Sequence, residues 1–261
     1  MTLAHAAVVP PMMRVTRRRL VLSAVVVGSM APDFESLVHL SSHKTVSHTV
    51  PGLFVFCLPV TLAVLAVWHG VVKRPLASLL PPRLAPVAAV AGQPFSFGPA
   101  SRFLAIYTSA VAGSATHIAW DSFTHEDGFF VQHIQWLRQS IHWHGLAVFD
   151  LLQYGSGLAG LVLLGFWWHR WTERQSTTAH PGSPPSRPVT PAPGRIRRTA
   201  LSAIVALTAS AGAANALRGV VDGLRAREVV AHGVFGAMAG WALAVVVAGV
   251  VLSRRRPHEA V

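Results

Sequence analysis

The sequence predicts an all-α, polytopic helical membrane bundle. Only 12% of the 261 residues are charged and 52% are hydrophobic, whereas a soluble domain carries about 25% charged residues. Several uncharged apolar segments approach the roughly 20 residues that cross a bilayer as a helix. Their apolar residues do not alternate as those of membrane β-strands do, and a backbone in lipid must satisfy its own hydrogen bonds. We therefore expect each of these segments to be a helix.

Hydropathy predicts about five membrane spans. They cover residues 52–69, 103–124, 145–168, 199–217 and 234–252. Pro59 is expected to kink the first span, because proline lacks the N–H that continues a helix. The segments 2–13 and 20–30 are too short to cross comfortably, so we expect them to form an N-terminal helical hairpin around an arginine-rich turn. Such a hairpin returns His5 and Asp33 to the same side.

Composition divides the chain into three parts. Residues 1–171 form a predicted front membrane domain, and residues 199–261 form a two-helix membrane hairpin. The intervening residues 172–198 are rich in Pro, Ser, Thr and Arg, which is typical of a disordered linker. The single cysteine, Cys57, excludes an intramolecular disulfide and a thiolate metal cage.

The net charge of +12 favours membrane anchoring over nucleic-acid binding, because the arginines flank apolar segments and do not share one soluble face. When the first span runs inward, most of the 22 lysines and arginines fall on the cytoplasmic side together with the C-terminus. Most acids and histidines then fall on the opposite side, which the positive-inside rule does not require. The expected partner is the lipid bilayer, with no nucleic acid.

The strongest candidate site is the pattern His117-x3-Asp121-x3-His125 at the outer end of the second span. Residues four apart on an α-helix differ by about 40° in direction, so these side chains share one face. Two imidazoles and a carboxylate suit zinc or another borderline divalent metal, and ionisable residues at membrane depth are usually functional. The alternative is a buried His–Asp hydrogen bond between helices, or, for His125, simple solvation at the interface.

Two further candidates are predicted on the same side of the membrane. His48 precedes the first span, where Thr49 is a predicted N-cap and Pro51 fits the first turn. Asp33 follows Pro32 at the break of an apolar segment and is a candidate both as a ligand and as a catalytic residue. The alternative for Asp33 is that it caps a following helix.

Weaker candidates complete the set. His5 belongs to it only if the hairpin forms, and His43 is as readily a surface histidine. His142 and His144 precede the third span on the outer side, where His144 is a candidate general acid or base, although such residues are also common at interfaces. Asp150, further into that span, is a candidate partner for a ligating histidine.

The front portion resembles a known family. The matching residues, in order, are 2–7 (TLAHAA), 28–35 (GSMAPDFE), Ser47-His48-Thr49 and His117-x3-Asp121-x2-Thr124-His125. Over about residues 1–170 they resemble a bacterial membrane family known as domain of unknown function 4184. The pattern is more distantly similar to membrane proteins labelled metal-dependent hydrolases and to all-helical zinc-dependent phospholipases C. The ligands that this resemblance implies are His5, Asp33, His48, His117 and Asp121. A His-x3-Glu partner for a multi-zinc cluster is missing.

These observations lead to a hypothesis of a membrane-embedded metal-dependent hydrolase in a bacterial cell membrane, with zinc as the expected cofactor. The site would lie at the outer interface, so the expected substrate is a lipid or lipid-linked phosphoester, with Arg138 or Lys44 near its head group. The alternative is a non-catalytic membrane protein whose His and Asp residues bind a structural metal or form a polar network. A transporter is disfavoured, because the polar residues collect at one end and paired broken helices are missing.

Overall fold

The structure is a computed structural model that describes residues 2–17, 19–42, 44–141, 145–177 and 189–254, and every secondary-structure element in that part of the chain is a helix. The predicted all-α class is therefore confirmed. The chain forms two compact units that interleave along the sequence. The first contains Met1–Asp33, Thr45–Ala63 and Ser96–Trp171, and the second contains Phe34–Lys44, Val64–Phe95 and Thr172–Val261. The three-part division at residues 171 and 199 stays a prediction.

The helices are named here in chain order. They are α1 (Val9–Val15), α2 (Leu22–Gly28), α3 (Phe34–His39), α4 (Val50–Ala77), α5 (Ala85–Gly92), α6 (Ala100–Thr124), α7 (Phe129–His133), α8 (Val148–Thr177), α9 (Gly194–Val221) and α10 (Ala226–Arg254). Within the described residues, α4, α8, α9 and α10 are long and apolar enough to cross a membrane. The protein is therefore a multi-pass membrane protein.

Helix α6 corresponds to the remaining predicted span, and its most apolar stretch is less hydrophobic than those of the other four. Its 25 residues reach about 37 Å at 1.5 Å per residue, which is long enough to cross. Its hydropathy is lower because its buried face carries Ser109, Ser114, His117 and Asp121. These polar side chains are turned into the protein, so the helix that is least suited to lipid is the one that carries the candidate site.

The predicted N-terminal hairpin is confirmed in the first unit. A 3-10 helix, Thr2–Val8, leads directly into α1, and α2 returns beside them. A second 3-10 turn, Ala31–Asp33, ends the returning arm. The hairpin therefore brings His5 and Asp33 to the same end, as the sequence predicted.

Helix α2 packs unusually closely on α6, and glycine on both helices permits it. A Cβ at Gly113 would lie 2.6 Å from the Val25 carbonyl oxygen, and a Cβ at Gly28 would meet the α6 backbone in the same way. The Ser114 hydroxyl donates a hydrogen bond of 2.9 Å to the Gly28 carbonyl. This contact fixes the end of the hairpin beside the C-terminal half of α6.

Helix α4 begins as the sequence predicted and is distorted near its proline. The Thr49 Oγ1 accepts a hydrogen bond of 3.0 Å from the Gly52 N–H, so Thr49 is the N-cap. The expected distortion at Pro59 takes the form of a π-helical turn, Leu53–Cys57, immediately before it. Proline lacks an N–H and its ring crowds the carbonyl of Val55, and a widened turn relieves that crowding.

The second unit is built around the antiparallel pair of α9 and α10. A Cβ at Gly236 would lie 2.6 Å from the Ala211 carbonyl oxygen, so the two backbones are in direct contact. The buried Asn215 donates from Nδ2 to the carbonyls of Leu40, at 2.7 Å, and His232, at 2.6 Å. This unit holds none of the six predicted metal ligands.

Candidate metal centre

Four ionisable side chains of the first unit converge at one point, and we refer to them as the four-residue cluster: Asp33, His48, His117 and Asp121. Each offers one ligand atom, and these atoms all lie within 4.8 Å of one another. They come from three separate segments, namely the end of the N-terminal hairpin, the loop before α4, and α6. The fold of the unit, and not local sequence, therefore assembles the cluster.

His117 and Asp121 lie one helical turn apart on the buried face of α6. The His117 Nε2 is 3.4 Å from the Asp121 Oδ2. The two residues are only 1% and 5% exposed, so neither charge is solvated by bulk water. The four-residue spacing places both side chains on one face, as the sequence predicted.

Asp33 and His48 reach this pair from the other two segments. The Asp33 Oδ1 lies 3.6 Å from the His117 Nε2. The His48 Nε2 lies 3.3 Å from the Asp121 Oδ2 and 4.0 Å from the Asp33 Oδ1. On the other side of the His48 ring, the Ser47 hydroxyl is 2.9 Å from Nδ1. This contact helps to hold the ring with Nε2 directed at the two carboxylates.

A backbone carbonyl fixes which nitrogen of His117 faces the cluster. The Ser29 carbonyl only accepts hydrogen bonds, so the His117 Nδ1, 2.7 Å away, carries the proton and donates. The His117 Nε2 is buried and makes no hydrogen bond, and the same holds for the His48 Nε2. In a neutral His117 ring, the Nε2 lone pair would face two carboxylates, which is favourable only with a cation between them. The donor set therefore fits a divalent metal. The Ser29 carbonyl would accept the hydrogen bond that a metal-binding histidine usually donates from its other ring nitrogen.

His5 lies against the cluster from the hairpin. Its Nε2 is 3.4 Å from the Asp121 Oδ1, and its ring stacks on His117 at a centroid distance of 3.7 Å. Burial of the imidazole, followed by the nearby His117, lowers the pKa of His5 to about 3. His5 is therefore neutral at physiological pH, which is the state in which imidazole binds a metal. It contacts the cluster without belonging to the four atoms that converge within 4.8 Å.

His125 follows the last residue of α6 and turns back toward the cluster. Its Nδ1 is 3.4 Å from the Asp121 Oδ2, and its Nε2 is 2.9 Å from the amide nitrogen of Gln153 on α8. Because an amide nitrogen only donates, the His125 Nε2 accepts and a neutral ring carries its proton on Nδ1. With the Gln153 amide in this orientation, His125 is better placed to orient Asp121 through Nδ1 than to bind the metal directly.

Of the remaining histidine and aspartate candidates, the structure describes Asp150, which is not one of the four converging residues. His43, His142 and the proposed acid–base residue His144 lie outside the described residues. The Asp150 Oδ2 accepts a hydrogen bond of 3.1 Å from the Ala147 N–H. Asp150 therefore caps the start of α8.

Two partners of the cluster were not predicted from the sequence, namely the Ser29 carbonyl and the Gln153 side chain. Ser29 lies within the matched segment 28–35, but a backbone carbonyl has no signature in residue type. Gln153 is a polar residue near the start of an apolar span, which is a usable signal, because such residues usually face the protein interior.

Membrane-crossing helices and a partly buried cluster of two histidines and two aspartates define the class of this molecule: a multi-pass α-helical membrane protein with a candidate metal centre. Residues 1–250 match the family described as Domain of unknown function (DUF4184), and the chain belongs to that family. The match includes the two C-terminal helices and so extends well beyond the front portion that carried the resemblance. No curated protein and no solved structure matches the chain.

Proposed function

We propose that the four-residue cluster binds a divalent metal ion and that the protein is a membrane-embedded metal-dependent hydrolase. The observation that carries this proposal is the convergence of two imidazoles and two carboxylates within 4.8 Å. Zinc is the proposed ion, because it takes mixed nitrogen and oxygen ligands and can expand from four-coordinate to five-coordinate, which leaves a position for water. His5 and His125 are proposed to complete the centre, either as further ligands or as partners that orient Asp121.

The charges of the cluster support a divalent ion. Two carboxylates balance two positive charges, so the assembled centre would be neutral in a region from which water is largely excluded. A bound ion of this kind would supply a water whose pKa is lowered to about 7 and would polarise an ester or phosphoester oxygen. Asp33, whose side chain is 13% exposed, is more accessible than Asp121 and is the proposed proton acceptor. His144 is the second proposed acid–base residue.

The proposed substrate is a lipid or lipid-linked phosphoester at the non-cytoplasmic interface of a bacterial cell membrane, with the C-terminus of the protein in the cytoplasm. The support for this orientation is the concentration of arginines at the opposite ends of the spans. The support for a lipid substrate is the position of the cluster on a helix of a membrane protein.

The second candidate is a non-catalytic membrane protein in which the cluster is structural. The observation that favours it is that the same side chains lie at ion-pair distances and join the hairpin, the loop before α4, and α6. A protonated histidine between the two carboxylates would satisfy this geometry without a metal. The two candidates differ in whether the protein catalyses a metal-dependent hydrolysis.

The test is metal-dependent turnover in detergent or nanodiscs. Zinc-loaded protein is incubated with a panel of phospholipids, and the released head groups and acyl products are quantified. We expect hydrolysis that stops with chelator, returns with zinc, and falls by about 10²–10⁴-fold in Asp33→Asn, as for loss of a general base. Asp222→Asn, at an exposed position in the second unit, is the matched control and is expected to keep full activity. Metal-loaded protein that hydrolyses none of the panel would favour the non-catalytic candidate.

A further inference from the structure

A groove opens directly beside the four-residue cluster. Its volume is about 360 Å³, and its walls are the N-terminal 3-10 helix, α6 and α8. All three walls belong to the first unit. The cluster residues His117 and Asp121 form part of the lining, so whatever occupies the groove lies against the candidate metal centre.

The lining changes from polar to apolar along α8. At one end Gln153 contacts His125, next Ser156 accepts a hydrogen bond of 3.1 Å from the indole of Trp120, and beyond them the lining consists of Gly157, Ala159, Gly160 and Leu163. The distance from Gln153 to Leu163 is about 15 Å along the helix axis. The groove therefore has a head end at the cluster and an apolar track that leads away from it.

The apolar track borders the region where lipid would lie. Helix α8 is one of the candidate membrane spans, and its side chains Leu158 and Val162 are exposed. The same helix approaches the N-terminal 3-10 helix closely at Gly160, where a Cβ would lie 3.0 Å from the Ala4 carbonyl oxygen. A molecule dissolved in the bilayer can therefore reach the track laterally along α8.

We infer that this groove binds one hydrocarbon chain of a membrane lipid, with the ester or phosphoester of that lipid placed at the cluster. The inference rests on the proposed function and adds how the substrate is bound, by a single hydrocarbon chain in this groove. At roughly 30 Å³ for each water-sized group, the groove holds on the order of a dozen methylenes, which is one chain and not two. The polar head end is lined by His125, Gln153 and Ser156, beside which the oxygens of the lipid would lie.

The test uses vesicles of phosphatidylcholine that contain phosphatidylglycerol with a diazirine on one acyl chain. After reconstitution and photolysis, labelled peptides are mapped by mass spectrometry in the wild type, Gly157→Leu and Gly155→Leu. Gly157 is buried and lines the groove, whereas a Cβ at the exposed Gly155 meets nothing within 4 Å. The metal content of each sample is measured in parallel.

We expect labelling of the α6 and α8 segments that line the groove. The labelling should be about tenfold weaker in Gly157→Leu, because the leucine would take the place of about two methylenes of the lipid chain and weaken its binding by that factor. Gly155→Leu is expected to label like the wild type, and all three proteins are expected to hold the same metal. Ala159→Phe, at an exposed groove position, provides the same test without filling a packed interior and decides the outcome if Gly157→Leu does not fold.

Two results would separate the inference from the proposed function. Wild-type protein that holds metal but labels equally in the groove variants would overturn the inference and leave the metal centre intact. Wild-type protein that labels in the groove but takes up no metal would overturn the proposed hydrolase and leave a lipid-binding groove.

Discussion

Asp121→Asn removes one charge from the centre of the cluster while it keeps the shape of the side chain. The Asp121 Oδ2 lies 3.3 Å from the His48 Nε2 and 3.4 Å from the His117 Nε2, and Oδ1 lies 3.4 Å from the His5 Nε2. A metal centre and a structural ion-pair network both require this carboxylate. The two accounts predict different effects of the substitution on the Tm in the presence and in the absence of a chelator.

The metal account predicts a stability that depends on free zinc. A ligand present at 100 times its dissociation constant stabilises the folded state by about 2.7 kcal/mol. For a chain of this size, about 1 kcal/mol corresponds to roughly 2–4 °C in Tm, so EDTA is expected to lower the wild-type Tm by about 5–10 °C. Asp121→Asn is expected to melt near the EDTA-treated wild type and to show no further change with EDTA.

The assay is thermal unfolding in detergent, followed by intrinsic fluorescence, with and without EDTA and after zinc is restored. The structural account predicts a different pattern, because breaking a buried ion pair costs about 3–5 kcal/mol whether or not metal is present. If EDTA leaves the wild-type Tm unchanged while Asp121→Asn still lowers it, the metal account is refuted and the ion-pair network is supported.

Three further predictions concern the supports of the site and the second unit, each measured by Tm or by zinc affinity. Gly113→Ala should cost about 1–3 kcal/mol of stability by overpacking, because its Cβ would lie 2.6 Å from a hairpin carbonyl. The control Gly165→Ala, whose Cβ would meet nothing within 4 Å, should be neutral or stabilising. Equal effects of the two substitutions on Tm would contradict the close packing. Asn215→Ala should cost about 1–3 kcal/mol, because two part-buried carbonyls lose their donor, and an unchanged Tm would argue against this contact. Gln153→Leu should weaken zinc binding by about 10–100-fold through His125, whereas Gln139→Leu at an exposed position should not, and equal zinc affinities would exclude the positioning role.

The sequence predicts local geometry well where spacing or turn chemistry determines it. The i, i+4 spacing of His117 and Asp121 placed both on one face of α6, and Thr49 was identified as a cap from its position before an apolar segment. The arginine-rich turn between two short apolar segments predicted the hairpin that brings His5 to Asp33. In each case the determining residues are neighbours in sequence or within one motif.

What the sequence did not predict depends on tertiary packing. Gln153 reaches His125 only because α8 packs beside α6, and the Ser29 carbonyl is directed at His117 by the close contact of α2 with α6. The helices also extend past the apolar segments from which they were predicted, as α10 begins at Ala226 where residue 234 was expected. Hydropathy reports the part of a helix that is suited to lipid, whereas the hydrogen-bonded helix continues into its polar ends.

The measurement that tests the central claim most directly is the metal content of detergent-purified protein by elemental mass spectrometry. The wild type is compared with His117→Ala/Asp121→Ala and with the control His133→Ala/Asp127→Ala, which removes the same residue types from exposed positions. The account predicts near-stoichiometric zinc or a similar divalent metal in the wild type and the control, lost from the cluster variant while circular dichroism shows it still folded. A wild type that holds no metal, even after zinc is added back, would contradict it.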